Sequence, residues 1–129
     1  MSRFLLDTHA FLWFAGGDSK LTDRARALIE DKTNECAFSV ASVWEIAIKS
    51  SLGRLELARP LESLLRAAES EHAIKIRPVV ASHALAVQSL PRRHGDPFDR
   101  LPAAVCRAES LEIISADQHF DHYEIRRVW

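Results

Sequence analysis

Four short runs rich in aliphatic and aromatic residues punctuate this chain: Arg3-Phe4-Leu5-Leu6, Cys36 to Val40, Ala73 to Ile76 and Leu111 to Ser115. Between them, apolar residues recur at helical spacing. In LTDRARALIEDK, Thr22 is placed to cap a helix whose stripe is Ala25, Leu28 and Ile29. Ser42-Val43-Trp44-Glu45 has the S-x-x-E form that opens a helix, and Gly53 is placed to close it. Pro60 starts another, amphipathic up to Glu69, with Leu61, Leu64, Leu65 and Ala68 on one side. Helical spacing returns at Ala84, Leu85 and Val87 and stops near Leu90-Pro91, and Asp96-Pro97 begins a helix running towards Ala108. Glu124 to Val128 reads as a short fifth strand. Strands separated by helices must run parallel, with helices over both faces. The expected class is α/β, a three-layer α/β/α sandwich around a central parallel sheet of four to five strands, forming a single domain over residues 1–129.

With 47% hydrophobic and 27% charged residues, the chain has the balance of a soluble protein with one core. Its apolar runs are too short for a bilayer, so no membrane partner is expected. Asp7 and His9 interrupt the N-terminal apolar stretch that would otherwise resemble a secretory signal. Cys36 and Cys106 have no partner spacing, which fits a reducing cytoplasm. The net charge of -1 carries no electrostatic footprint of a nucleic-acid binder. One bound divalent ion would reverse that sign, and local basic groups steer phosphates regardless.

In a parallel sheet, ligands bind along the carboxyl edge, where strands exit and the following helices begin. Asp7 sits at the exit of the first strand and Asp117 just past the fourth, while Glu45 and Asp99 fall in the first turns of expected helices. Glu30, Asp31, Glu69 and Glu71 fall at helix ends, towards the opposite edge. Each acid has a structural use of its own. Asp7 can end a strand in an Asx turn, and Glu45 can complete a capping box begun by Ser42. Asp96 can cap a helix with Asp99 as its box partner, and Asp117 can cap Gln118-His119-Phe120. Four acids on one rim, given a strand order that brings them together, repel unless a hard cation joins them. Mg²⁺ or Mn²⁺ suits such oxygen ligands and can activate water against a phosphodiester without a protein nucleophile.

LLDTHAFLW, SVASVWEIAIKSSLGRL, LPRRHGDPFDRL and IISADQHFDHY, in that order, resemble the motifs of PIN-domain proteins, most closely the VapC toxins of bacterial toxin–antitoxin pairs. The resemblance spans nearly the whole chain. It implies a Mg²⁺- or Mn²⁺-dependent endoribonuclease that acts on RNA, is silenced by a VapB-type antitoxin and forms a homodimer. It places the family's four acids on Asp7, Glu45, Asp99 and Asp117, with Asp7 and Asp99 as the surest metal ligands. Asp96, Thr8 and Ser115 take supporting roles, Ser115 standing where threonine is common. Pro102 departs from the family's aliphatic pattern and is expected to kink or restart its helix. DQHFDHY is richer in His and Asp than the family pattern, but His119 and His122 lack a third placed ligand for a transition metal.

Lys49, Arg92, Arg93, His94 and Arg100 stand near the acidic rim as candidate phosphate contacts, or as a solvated face. His9 is expected to pack or hydrogen-bond, and Trp13 and Trp44 to lie in the core or a subunit interface, although either Trp could stack on an unpaired base. Two alternatives to a nuclease remain open. One is a PIN-like RNA- or protein-binding module with weak or no catalysis, which Pro102 favours. The other is a Mg²⁺-dependent phosphatase with Asp7 as nucleophile, which His9 disfavours because that chemistry wants an acid two positions on.

Overall fold

The computed structural model describes residues 1–91 and 97–129. The chain runs β1 (Arg3–Leu6), α1 (Thr8–Gly16), α2 (Asp23–Glu30), β2 (Glu35–Ser39), α3 (Val40–Ser51), α4 (Leu61–His72), β3 (Lys75–Arg77) and α5 (Ala81–Ala86). It ends with α6 (Pro97–Glu109), β4 (Glu112–Ile114) and β5 (Arg127–Val128), and 3₁₀ turns occupy Val87–Ser89 and Gln118–Tyr123. The five strands form one sheet in the order β3-β2-β1-β4-β5, and every pairing is parallel.

Side chains alternate across a strand, so each strand feeds two cores. Phe4 and Leu6 of β1, Phe38 of β2 and Ile114 of β4 face one side, where Phe11, Ile29, Ile46 and Leu64 of α1 to α4 cover them. Leu5, Ala37 and Ile113 face the other, against Ala103, Val105, Phe120 and Tyr123. Leu5, Leu6, Ile113 and Ile114 are all completely buried. Burial of such a side chain stabilises by roughly 1.5–3 kcal/mol, and this double burial makes the molecule three-layered, as the sequence implied.

Several boundaries differ from expectation. Ser39, the last strand residue, caps α3 by accepting from Ala41 N at 3.1 Å. The helix therefore begins at Val40, and Ser42 is buried inside it. The S-x-x-E pattern is thus no capping box, and Glu45 belongs to the second turn. Gly53 does end the helix, at φ +71°, with Gly53 N bonded to Ser50 O and Arg54 N to Lys49 O, a Schellman closure. Thr22 caps α2 through Ala25 N as expected. α6 runs through Pro102 as one helix and does not restart there. Pro102 to Cys106 are all buried, and that packing outweighs one missing backbone bond. Trp44 is 58% exposed, so this chain's own core does not hold it. Trp13 is half-buried and lies against Trp129, ring centroids 5.8 Å apart.

Candidate functional site

The strand order reverses beside β1, which leads to β2 on one side and has β4 on the other. A crevice opens at the carboxyl ends of strands at such a switch point. Asp7 follows β1 directly, and its backbone N–H reaches Ile114 O of β4 at 3.2 Å. Its side chain caps α1, with Oδ1 accepting from Ala10 N at 2.7 Å, while Oδ2 accepts from the Ser115 hydroxyl. Ser115 Oγ in turn accepts from Asp117 N at 2.9 Å. One buried hydroxyl therefore ties the exit of β1 to the exit of β4.

The crevice encloses about 130 Å³ and is lined by Asp7, Glu45, Asp99 and Asp117 together with Thr8, His9, Lys49, Phe98, Pro102 and Phe120. All four acids singled out in the sequence face this one cavity. Glu45, 7% exposed, is held from both sides: Thr8 Oγ1 donates to Oε1 and Lys49 Nζ to Oε2, each at 2.6 Å. Asp99 lies in the first turn of α6. Asp117 caps the following 3₁₀ turn by accepting from His119 N at 2.9 Å, and its Oδ1 also lies 2.9 Å from His119 Nδ1.

Desolvation raises the Asp7 carboxyl above its ordinary value of 3.8. The Ser115 hydroxyl, the Ala10 amide and His9 pull it down, and the negative charge of Asp99 pushes it up. Asp7 and Asp99 thus form a pair of like charges at a partly dry edge, which a cation would relieve. Among the described residues, no three His, Cys, Asp or Glu side chains form a ready metal cluster. The donor set still fits Mg²⁺, which is commonly held by one or two carboxylates, with waters and substrate phosphates completing its octahedron.

The supporting residues divide. Thr8 and Ser115 bond the acids directly, and Lys49 lies within the cavity wall. Arg100 instead turns its guanidinium onto backbone carbonyls, with Nη1 to Pro91 O and Nη2 to Val87 O, both at 3.0 Å. It braces the first turn of α6 against Val87 and Pro91. Asp96, Arg92, Arg93 and His94 lie outside the described residues. His119 and His122 rings are 6.3 Å apart. Sequence reasoning missed Phe98, which forms a wall beneath Lys49 and beside Trp44; a single aromatic after a helix-starting proline carries no signal of its own.

A family model described as PIN domain matches residues 4–125. The chain is 32% identical over 120 residues to ribonuclease VapC22 of Mycobacterium tuberculosis, covering 92% of this chain and 89% of that one. In fold it is similar to VapBC2 from Rickettsia felis bound to a fragment of promoter DNA, with a TM-score of 0.73 at 16% identity over 98% of this chain and 97% of that one. It is also similar to FitAcB from Neisseria gonorrhoeae, with a TM-score of 0.66 at 18% identity over 98% and 96% of the two chains.

Proposed function

This chain belongs to the PIN-domain family, and from that premise we propose that it is a toxin-type endoribonuclease which hydrolyses RNA phosphodiesters with divalent metal and is neutralised by a cognate VapB-type antitoxin. The observation that carries the proposal is the gathering of Asp7, Glu45, Asp99 and Asp117 around one cavity at the switch point of the sheet. Ribonuclease is the named activity of a relative at 32% identity, and solved complexes of similar fold support an antitoxin as partner.

Asp7 and Asp99 are the residues that would hold Mg²⁺ or Mn²⁺, with Asp117 alongside and Glu45 completing the acidic set. When bound, such an ion lowers the pKa of an attacking water and stabilises charge on the leaving oxygen. Ser115 fixes the Asp7 carboxylate by donating to Oδ2, so that the capping bond and the hydroxyl together restrict its rotation. Thr8 fixes Glu45 in the same way. Lys49 brings a positive charge to the cavity wall, where an incoming phosphate needs one. Phe98 and Phe120 supply apolar walls, which restrict water around the reacting phosphate. Attack by water with the 3′-oxygen as leaving group gives a 5′-phosphate and a 3′-hydroxyl.

α6 continues through Pro102, and Asp99 lines the same cavity as Asp7, which supports a cutting enzyme over a non-cutting module. Asp99→Asn is the decisive variant. It is expected to fold normally and to leave single-stranded RNA uncut; cleavage at the parent rate would overturn the assignment.

A further inference from the structure

Glu45 is fully compensated within the chain. It is 7% exposed, and both its oxygens accept short hydrogen bonds, from Thr8 and from Lys49. The Lys49 ammonium lies one helical turn on from the carboxylate, so the pair is built into α3 and needs no rearrangement to form. The same ammonium stands 5.4 Å from the Phe98 ring centroid across the cavity, within cation–π range. Its side chain keeps 34% of its surface open. Turning Glu45 into a metal ligand would cost the removal of a buried carboxylate from its ammonium, and parting such a pair is strongly unfavourable. Asp7 and Asp99 line the same cavity.

Taking the metal site of the preceding section as given, we propose that Lys49 occupies the place of a second divalent ion. Its ammonium neutralises Glu45, limits the cavity to a single ion on Asp7 and Asp99, and presents its remaining N–H groups to the substrate phosphate. An ammonium has three donors, and Glu45 takes one of them. Two-metal phosphoryl-transfer sites set a second ion against the phosphate to share its charge; here a side chain delivers that charge, fixed at unit strength and present before any ion arrives. Glu45 then acts as the anchor that orients Lys49, and Thr8 as the anchor of Glu45.

Calorimetric titration of the whole protein with Mn²⁺ tests this without measuring cleavage, with circular dichroism confirming the fold of each variant. The parent is expected to take a single Mn²⁺ per chain, Lys49→Arg the same, and Lys49→Met a second ion as Glu45 becomes available. Glu45→Gln is expected to keep the first ion with Kd within about threefold of the parent, whereas Asp99→Asn weakens it by at least about thirtyfold. Two ions on the parent, or a Lys49→Met protein unchanged in stoichiometry and affinity, would overturn the role of Lys49 while leaving the metal site intact. A parent that takes up no Mn²⁺ removes the metal site itself, and this inference with it. If Lys49→Met does not fold, Glu45→Gln decides alone: a loss beyond about tenfold makes Glu45 a ligand and the proposal wrong, and retained binding supports it.

Discussion

At its last residue, Glu109, α6 presents a carboxylate to Arg77 Nη2 and to His83 Nε2, the latter at 3.0 Å. In its first turn the same helix presents Asp99 towards Asp7, a second acid that its charge makes harder to ionise. One end sets its acid against Arg77 and His83, and the other sets its acid at the rim of a cavity shared with Asp7. Structural acids find basic partners as a matter of course. Two acids lining one cavity at the switch point of a parallel sheet are suited to sharing a cation. Glu45 lines the same cavity and, like Glu109, has a basic partner, Lys49.

The contrast breaks most visibly at Asp99. Asp99→Asn should lower RNA cleavage by at least about a thousandfold, about 4 kcal/mol of barrier, with the fold retained. Gel assays beside thermal melts check both halves; a variant that keeps its activity, or unfolds, ends the distinction between the two ends of α6. The reverse pattern is expected at Glu109. Glu109→Gln should destabilise by about 1–3 kcal/mol in urea titration, since its amide offers one acceptor oxygen where Arg77 and the buried His83 use two, while cleavage stays near the parent rate. Equal stability of parent and variant would show that this end needs no compensation.

Arg100 sharpens the comparison from a third position. Its bonds to the carbonyls of Val87 and Pro91 tie the start of α6 to the preceding segment. Arg100→Ala should therefore cost about 1–2 kcal/mol of stability and leave the salt dependence of RNA binding unchanged. A shallower salt slope would make it a phosphate contact instead.

The smallest effect lies in pH. Burial first, and Asp99 last, raise the Asp7 carboxyl above its ordinary value of 3.8. A group whose pKa is raised by folding contributes stability that is fully present below its unfolded value and is lost as pH rises through its folded one. Asp7→Asn lacks that loss, because asparagine still caps a helix but carries no charge. Without metal, the variant should gain in melting temperature relative to the parent as pH rises from 3.8 upward, and Mn²⁺ should erase the gain by stabilising the parent. A difference that does not change with pH would remove the desolvated carboxyl from the account.

Much of this was legible in the sequence, for a physical reason. Alternating strands and helices force a parallel sheet, and a parallel sheet sends every strand exit and every following helix start to one edge. Asp7, Asp117 and Asp99 could therefore be assigned to that edge before any contact was known. What the chain concealed was local. Ser39 and Ser42 are both competent caps, and the choice between them depended on where β2 ends; because the strand passes into α3 with no linker, the residue that closes one opens the other. Glu45 and Lys49 stood at i, i+4 in plain view, but that spacing marks ordinary surface pairs as readily as a buried one. Trp44 sat in an apolar helical pattern, yet that pattern could not show which side of α3 would be covered, and the indole is exposed. Strand order, which turns four separate acids into one cavity, leaves no mark in local spacing.

The most direct measurement is a crystal of the protein soaked in Mn²⁺ and recorded at the manganese absorption edge. A single anomalous peak within coordination distance of both Asp7 and Asp99, with Glu45 still on Lys49, is the predicted result. Carboxylates of Asp7 and Asp99 directed to separate regions, with no ion shared between them, would contradict it.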